Sequence, residues 1–174
     1  MADDAFLYFP GSDIKGETQD EDMSKNHAFE IVSFSFGAEN TIDIGSISSG
    51  GGAGKATFKE FNVTKKTDLG SCPLFLTLCQ GGHLKEAIVE LRRSGGKPGA
   101  SGATFLKFVF AFVMVQDISW SGSGGEPCEE EVIFQYGAMS VEYFQQKPDG
   151  NMETKGKTEW SRVVNKMGMT VPGL

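Results

Sequence analysis

Alternating apolar and polar side chains run through most of this chain and predict β-strands. In residues 28–37 the apolar phase changes after Ile31, which predicts a β-bulge that bends the strand as a barrel wall requires. In residues 84–93, Ala87, Val89 and Leu91 lie on one side, and Glu90 and Arg92 lie on the opposite, polar face. The predicted strands lie at residues 5–9, 28–37, 55–66, 84–93, 104–120 and 129–146.

The predicted strand at residues 104–120 is apolar on both faces. One phase of the alternation contains Phe108, Phe110, Phe112 and Met114, and the other contains Val109, Ala111, Val113 and Val115. A strand that is apolar on both sides needs a layer beyond its own core, which a helix, another sheet or another subunit can provide.

One segment predicts a helix. Residues 71–81 begin with Ser71 as a cap, carry Pro73 in the first turn and end at Gly81. About seven strands at short spacing and one short helix predict a mainly β fold. We expect a small β-barrel made of two sheets, with the helix at its side.

The alternation stops after Pro148-Asp149-Gly150. Residues 1–146 are therefore expected to form the barrel domain, and residues 147–174 a C-terminal tail of unknown role. Within this tail we expect one helical turn, around residues 160–166.

Composition narrows the class of protein. The 174 residues are 39% hydrophobic and 22% charged, and no apolar run approaches the length of a membrane span. The N-terminus has no positive charge before its short apolar run, so no secretory signal is predicted and folding is expected in the cytoplasm. Three cysteines suit a reducing compartment. The net charge of −7 argues against nucleic acid as a partner.

No motif in the chain predicts catalysis or a cofactor. The stretch SSGGGAGKAT at residues 48–57 resembles a phosphate-binding loop, but Ser49 stands where the first glycine is required and Ala56 where the hydroxyl is required. His27 and His83 lack the spacing of a zinc site. The acidic run 20–22 departs from a calcium loop and is expected to be solvated. We therefore expect no catalytic residue, no cofactor and no bound metal.

A series of short motifs, in order, resembles the haemolysin-coregulated protein (Hcp) family, the tube protein of type VI secretion. The resemblance covers about residues 3–146, and it depends on the order of the motifs because none is specific alone. The motifs are DAFLYF at residues 4–9, IKGET at 14–18, EIVSFSFG at 30–37, GGGAGK at 50–55, FNVTKKTD at 61–68, GHLKEA at 82–87 and LRRSGG at 91–96.

The resemblance implies a non-enzymatic structural subunit. In that family six barrels form a ring, and the rings stack into a hollow tube that a contracting sheath drives into a target cell behind a spike protein. The implied partners are further copies of the chain, the spike, the sheath and small effectors in the ring lumen, with no nucleic acid and no membrane insertion. The implied location is the bacterial cytoplasm during assembly, followed by secretion or delivery for virulence.

The same resemblance suggests where the rings meet. The glycine-rich segment would form a loop that stacks on the adjacent ring, with Ser48, Ser49, Gly50, Gly51, Gly52, Ala53, Gly54 and Lys55 as its residues. Residues 54–97 carry 8 basic and 4 acidic side chains between two acidic blocks. This charge pattern suggests a basic stacking face that includes Lys59, Lys65, Lys66 and Lys85.

Two other classes of function are compatible with the pattern. A monomeric β-barrel could bind a small ligand in its interior. An enzyme would require an acid, base or nucleophile cluster that only folding brings together.

Overall fold

The structure is a computed structural model that describes residues 3–42, 54–93 and 102–174. It contains one α-helix, α1 (Ser71–Gln80), and a short 3₁₀ helix at Met23–Asn26. The strands are β1 (Asp3–Tyr8), β2 (Phe29–Ser35), β3 (Ala38–Glu39), β4 (Thr57–Phe58), β5 (Phe61–Lys66), β6 (His83–Arg93), β7 (Ala103–Ser121), β8 (Glu129–Gln146), β9 (Met152–Ser161) and β10 (Lys166–Met167).

Six strands close into a barrel, as the alternation predicted. Their order is β8-β5-β2-β1-β6-β7, and β7 pairs with β8 to complete the circle. All of these pairings are antiparallel. The ladder of β2 on β5 shifts between Ile31 and Ser33, which confirms the predicted bulge. Strands β3 and β4 form a second, smaller sheet.

Aromatic side chains fill the interior of the barrel. Phe61 is 4.7 Å from Phe110 between ring centroids, and Phe110 is 4.8 Å from Tyr136. Phe36 lies against these rings and against Phe108. Offset and tilted aromatic pairs stabilise a core beyond the area that they bury. A ligand inside the barrel, as in the monomeric alternative, would have to displace this core.

The two faces of β7 differ from the simple alternation. Phe108 and Phe110 point into the core, but further along the strand Val113 and Val115 do so. The phase changes at Phe112, whose φ of 54° is left-handed. The prediction that Phe112 and Met114 continue the face of Phe108 and Phe110 is therefore wrong, because one left-handed residue rotates the following side chains.

The polar face of β6 is also covered. Arg92 is buried and its guanidinium contacts Asp20 at 2.9 Å and Asp22 at 3.1 Å, and it also donates to the carbonyl of Gly102. The expectation of a solvated acidic run is therefore wrong for Asp20, whose side chain is 24% exposed, whereas Asp22 at 44% and the exposed Glu21 remain in contact with solvent. The same segment contributes Met23 to a second apolar cluster, with Phe6, Tyr8, Ala28 and Ile88, against which Val109 packs.

Glu90 lies beside this cluster and accepts two hydrogen bonds. The Tyr8 hydroxyl donates to its Oε1 at 2.6 Å and the Thr104 hydroxyl to its Oε2 at 2.7 Å, while Lys107 lies 3.4 Å away. Burial opposes ionisation of Glu90, but these donors outweigh burial and hold the pKa of Glu90 below its ordinary value.

Replacing Tyr8 with phenylalanine is expected to lower the free energy of unfolding at neutral pH by about 1.5–3 kcal/mol. Because folding lowers the pKa of Glu90, the ionised carboxylate makes its full contribution to the free energy of unfolding at pH values above the pKa that Glu90 has in the unfolded chain. That contribution is lost as the pH falls through the lower pKa of the folded chain. The difference in urea midpoint between wild type and variant should therefore narrow on acidification. A difference that does not change with pH would contradict this role for the hydroxyl.

Helix α1 has the predicted position and the predicted end. Gly81 adopts a φ of 63° and donates its N–H to the carbonyl of Leu78. The predicted start differs, since Ser71 is the first helical residue and Gly70 occupies the cap position. The Ser71 hydroxyl accepts the N–H of Asp68 instead of capping the helix.

The C-terminal residues form strands and not a helical turn. Strand β9 pairs with β8 from Ala138 to Gln146, and β10 pairs with the end of β9. The expected turn of helix around residues 160–166 is wrong. Strand β9 was missed because its sequence, METKGKTEWS, lacks apolar alternation and it pairs through its backbone.

Candidate assembly surface

The glycine-rich loop is only partly described. Residues 48–53 of the proposed stacking loop lie outside the described residues. Gly54 donates its N–H to the carbonyl of Thr41 at 2.8 Å, and the exposed Lys55 follows it toward β4. Stacking by this loop stays a prediction.

The four lysines of the proposed stacking face do not lie together. Lys59 precedes β5 and Lys66 ends it, so about 20 Å of strand separates them. Lys85 is exposed on β6. Lys59 and Lys66 therefore cannot belong to one continuous basic face.

Lys65 does not belong to a surface at all. Its side chain is 1% exposed, and its Nζ lies 2.5 Å from Glu130 Oε1 and 2.9 Å from Asp68 Oδ1. Nζ also donates to Ser71 Oγ and lies 4.7 Å from the centre of the Phe29 ring. Lys65 is therefore removed from the proposed stacking face, because its charge is satisfied inside its own chain.

The surroundings of Lys65 connect the barrel to α1. Burial raises the pKa of Asp68 above its ordinary value although Lys65 opposes the shift. Glu130 Oε2 accepts the indole N–H of Trp120 at 2.8 Å. The ion pairs therefore fix the end of β7 and the start of the helix in one arrangement.

An apolar patch lies on the outside of this region. Phe75 of α1 and Trp120 of β7 are 45% and 44% exposed, and their rings meet edge to face at 5.4 Å. Leu69 and Leu76 are exposed beside them in sequence. We call Leu69, Phe75, Leu76 and Trp120 the α1 patch.

A second apolar patch belongs to the C-terminal segment. Val163, Met167 and Leu174 are exposed. In the strand registers Trp120 lies opposite Glu130 of β8, and Trp160 lies opposite Met139 of the same strand. About 30 Å along β8 therefore separates this segment from the α1 patch. We call Val163, Met167 and Leu174 the C-terminal patch. The C-terminal patch therefore differs from the α1 patch in composition and in position along β8.

A cleft of about 470 Å³ opens beside Val163. Its lining residues are Lys55, Ala56, Thr57, Phe58, Gln135, Tyr136, Trp160, Arg162, Val163 and Asn165. These include two basic side chains and no carboxylate. We call it the basic cleft.

Arg162 is held in place within the basic cleft. Its Nη1 donates to Gln135 Oε1 and to the carbonyl of Tyr136, each at 3.1 Å. Its guanidinium lies 4.8 Å from the Tyr136 ring and 5.8 Å from the Phe58 ring. Burial raises the pKa of Tyr136 to about 12, against the effect of Arg162. Tyr136 therefore stays neutral and adds no negative charge to the cleft.

Much of the second face of β7 is covered within the chain. Val109 packs on the cluster around Met23, the helix lies over the far end of the strand, and Val163 and Val171 approach Phe112 beside Gly137. The layer that this strand was predicted to need is thus largely intramolecular, although Met114 of the same strand stays 36% exposed.

Within residues 3–42, 54–93 and 102–174, no group of three or more histidine, cysteine or acidic side chains could hold a metal ion. His83 instead stacks on Phe112, at 4.9 Å between ring centroids. In the same ranges no helix is long and apolar enough to cross a bilayer. Nothing in the sequence indicated the basic cleft, because the cleft depends on the pairing of β9 with β8.

Comparison with known proteins assigns the chain to a family. Residues 6–143 match the family model described as type VI secretion system effector, Hcp. Protein hcp1 of Pseudomonas aeruginosa is 32% identical over 152 residues, which cover 86% of this chain and 88% of that protein.

Solved structures agree with the family model. One described as a type six secretion system protein aligns with a TM-score of 0.84 at 26% identity, over 96% of this chain and all of the other. Hcp1 from Salmonella typhimurium aligns with a TM-score of 0.71 at 24% identity, over 96% of this chain and 99% of the other. The barrel, its order of strands and the sequence match together establish that this chain belongs to the Hcp family of type VI secretion system proteins.

Proposed function

We propose that this chain is the structural subunit of the inner tube of a type VI secretion system. Six copies close into a ring, and rings stack into a hollow tube. The observation that carries the proposal is the pair of unlike apolar patches about 30 Å apart along β8. When one patch docks on a different patch of the next copy, the contact is head-to-tail, which builds closed rings or continuous filaments.

The proposal also covers how the tube leaves the cell and what it carries. The subunit is assembled in the cytoplasm and leaves the cell with a spike protein at the tip, inside a contracting sheath, and small effectors travel in the ring lumen. Its role is non-enzymatic. The 147–174 segment contributes contact surface through the C-terminal patch.

Light scattering on the purified protein tests the ring. We expect a species of about six times 18.8 kDa, and electron micrographs should show rings with a central hole. A mass near 18.8 kDa at every concentration would contradict the proposal and would favour the monomeric ligand binder.

Stacking of the rings is expected to weaken as ionic strength rises. The exposed lysines 55, 59, 66 and 85 would face carboxylates of adjacent copies, and those at opposite ends of β5 would meet different neighbours. Salt screens exposed charges over about 8–10 Å. Stack lengths measured in electron micrographs from low to high salt check this effect. Lengths that do not respond to salt would exclude an electrostatic contribution.

A further inference from the structure

We propose that the basic cleft of one copy receives the β7–β8 turn (residues 122–128) of a copy in the adjacent ring. This inference rests on the proposed function and names the contact by which rings stack. The occupant is a second copy of this chain, and the group that enters the cleft is the carboxylate of Glu126.

The first argument is the chemistry of the basic cleft. Arg162 uses Nη1 for Gln135 and Tyr136, whereas its other two nitrogens have no partner among the described residues. Lys55 is exposed at the rim. The Trp160 indole N–H is buried and lacks a hydrogen-bond partner in the described part of the chain. A cleft lined by Arg162 and Lys55, and by no acidic side chain among the described residues, suits a carboxylate, which arginine binds in a charge-assisted geometry.

The second argument is the shape and charge of the β7–β8 turn. Its sequence is GSGGEPC, and all seven residues are exposed. Glu126 stands between Gly125 and Pro127, and its backbone N–H donates to the carbonyl of Ser123, which closes the turn. The turn contains one carboxylate and no basic side chain. A narrow glycine-rich turn can approach a concave surface closely.

The third argument is position along the barrel. The turn connects Ser121 of β7 to Glu129 of β8. Glu129 lies opposite Lys66, so the turn is at the end of the barrel where β5 ends. The basic cleft lies beyond the start of β5, next to Gln135 and Tyr136. About 20 Å of β8 therefore separates the turn from the cleft. A projection at one end and a complementary recess at the other are what a head-to-tail stack requires.

Charge exchange between the two surfaces tests the contact. Glu126→Lys and Lys55→Glu are each expected to shorten the stacks several-fold while light scattering still detects rings. The double variant Glu126→Lys with Lys55→Glu is expected to form longer stacks than either single variant, because this charge pair is again opposite although Arg162 keeps its positive charge. Both positions are exposed and have no intrachain ion pair among the described residues, so the fold should be unaffected. Single variants that stack like wild type, or a double variant that does not recover, would overturn the inference.

A disulfide between copies provides an independent readout. Cys128 lies in the turn and is exposed, and Val163 lines the basic cleft and is 56% exposed. With Cys72 and Cys79 replaced by serine, Val163→Cys is expected to give covalent dimers and longer ladders on oxidation of stacked rings. The matched control is Val32→Cys, which is 57% exposed on β2 and does not line the cleft.

The outcomes separate this inference from the proposed function. Ladders from Val32→Cys as strong as those from Val163→Cys would overturn the contact and leave the ring-forming tube subunit intact. Rings that form but never stack would also overturn the contact. A protein that forms no rings would overturn the proposed function and the contact together.

Discussion

Replacing Lys65 with methionine is expected to lower the free energy of unfolding by about 3–5 kcal/mol. The side chain is 1% exposed, and its loss leaves the buried Glu130 without its cationic partner and Asp68 without its nearest one. Methionine fills a similar volume, so the effect reports the uncompensated charges and not a cavity. Urea denaturation at fixed protein concentration measures it, because assembly would otherwise change the apparent stability.

The neighbouring lysine supplies the matched control for this substitution. Lys66 is exposed, and Lys66→Met is expected to change stability by less than about 0.5 kcal/mol. Adding Glu130→Gln to Lys65→Met should recover part of the loss, since the buried charge is removed while an acceptor for Trp120 remains. Equal effects of the two lysine variants would show that the Lys65 ion pairs do not stabilise the barrel.

Replacing Gly16 with alanine is the second substitution with a large expected effect, about 3 kcal/mol or more. A Cβ at this position would lie 2.7 Å from the backbone nitrogen of Phe29 and closer still to the carbonyl of Ala28. Gly16 also donates its N–H to the carbonyl of His27 at 2.8 Å. The obstacle is the peptide group between Ala28 and Phe29, so no side-chain rotation can relieve the contact.

Thermal or urea unfolding of Gly16→Ala should be compared with that of Gly156→Ala. Gly156 lies in β9, and a Cβ there would meet nothing within 4 Å. Its replacement is expected to change stability by no more than about 1 kcal/mol. If the two alanine variants are equally stable, the close approach of residues 16 and 28 is not a constraint on the fold.

The alternation of side chains predicted the barrel because each wall strand carries its own apolar phase. The bulge after Ile31 and the helix end at Gly81 were also predictable, since both are local consequences of phase and of backbone freedom. The covered polar face of β6 was not predictable, because alternation assigns a residue to a face but does not say what lies over that face. Glu90 and Arg92 are buried by segments distant in sequence.

The burial of Lys65 could be predicted from the alternation of side chains in the sequence. Lys65 shares its phase with Phe61 and Val63, and Glu130 shares its phase with Val132. Both charges therefore face inward on strands that pair directly, Lys65 opposite Glu130. An inward-facing lysine on a predicted strand indicates an inward-facing acid elsewhere. The basic cleft had no comparable signal, because its two sides meet only after β9 joins the sheet.

The crowding around Phe112, the left-handed residue of β7, also fixes the register of the long β7–β8 hairpin. Strands of 19 and 18 residues could slip past each other by two positions and keep the same sides inward. Opposite Phe112, however, stands Gly137, where a Cβ would come within 3.3 Å of Phe112, Val163 and Val171. In any shifted register a residue larger than glycine would lie opposite Phe112, where there is no room for its side chain. Gly137 therefore disfavours the alternative registers of the hairpin.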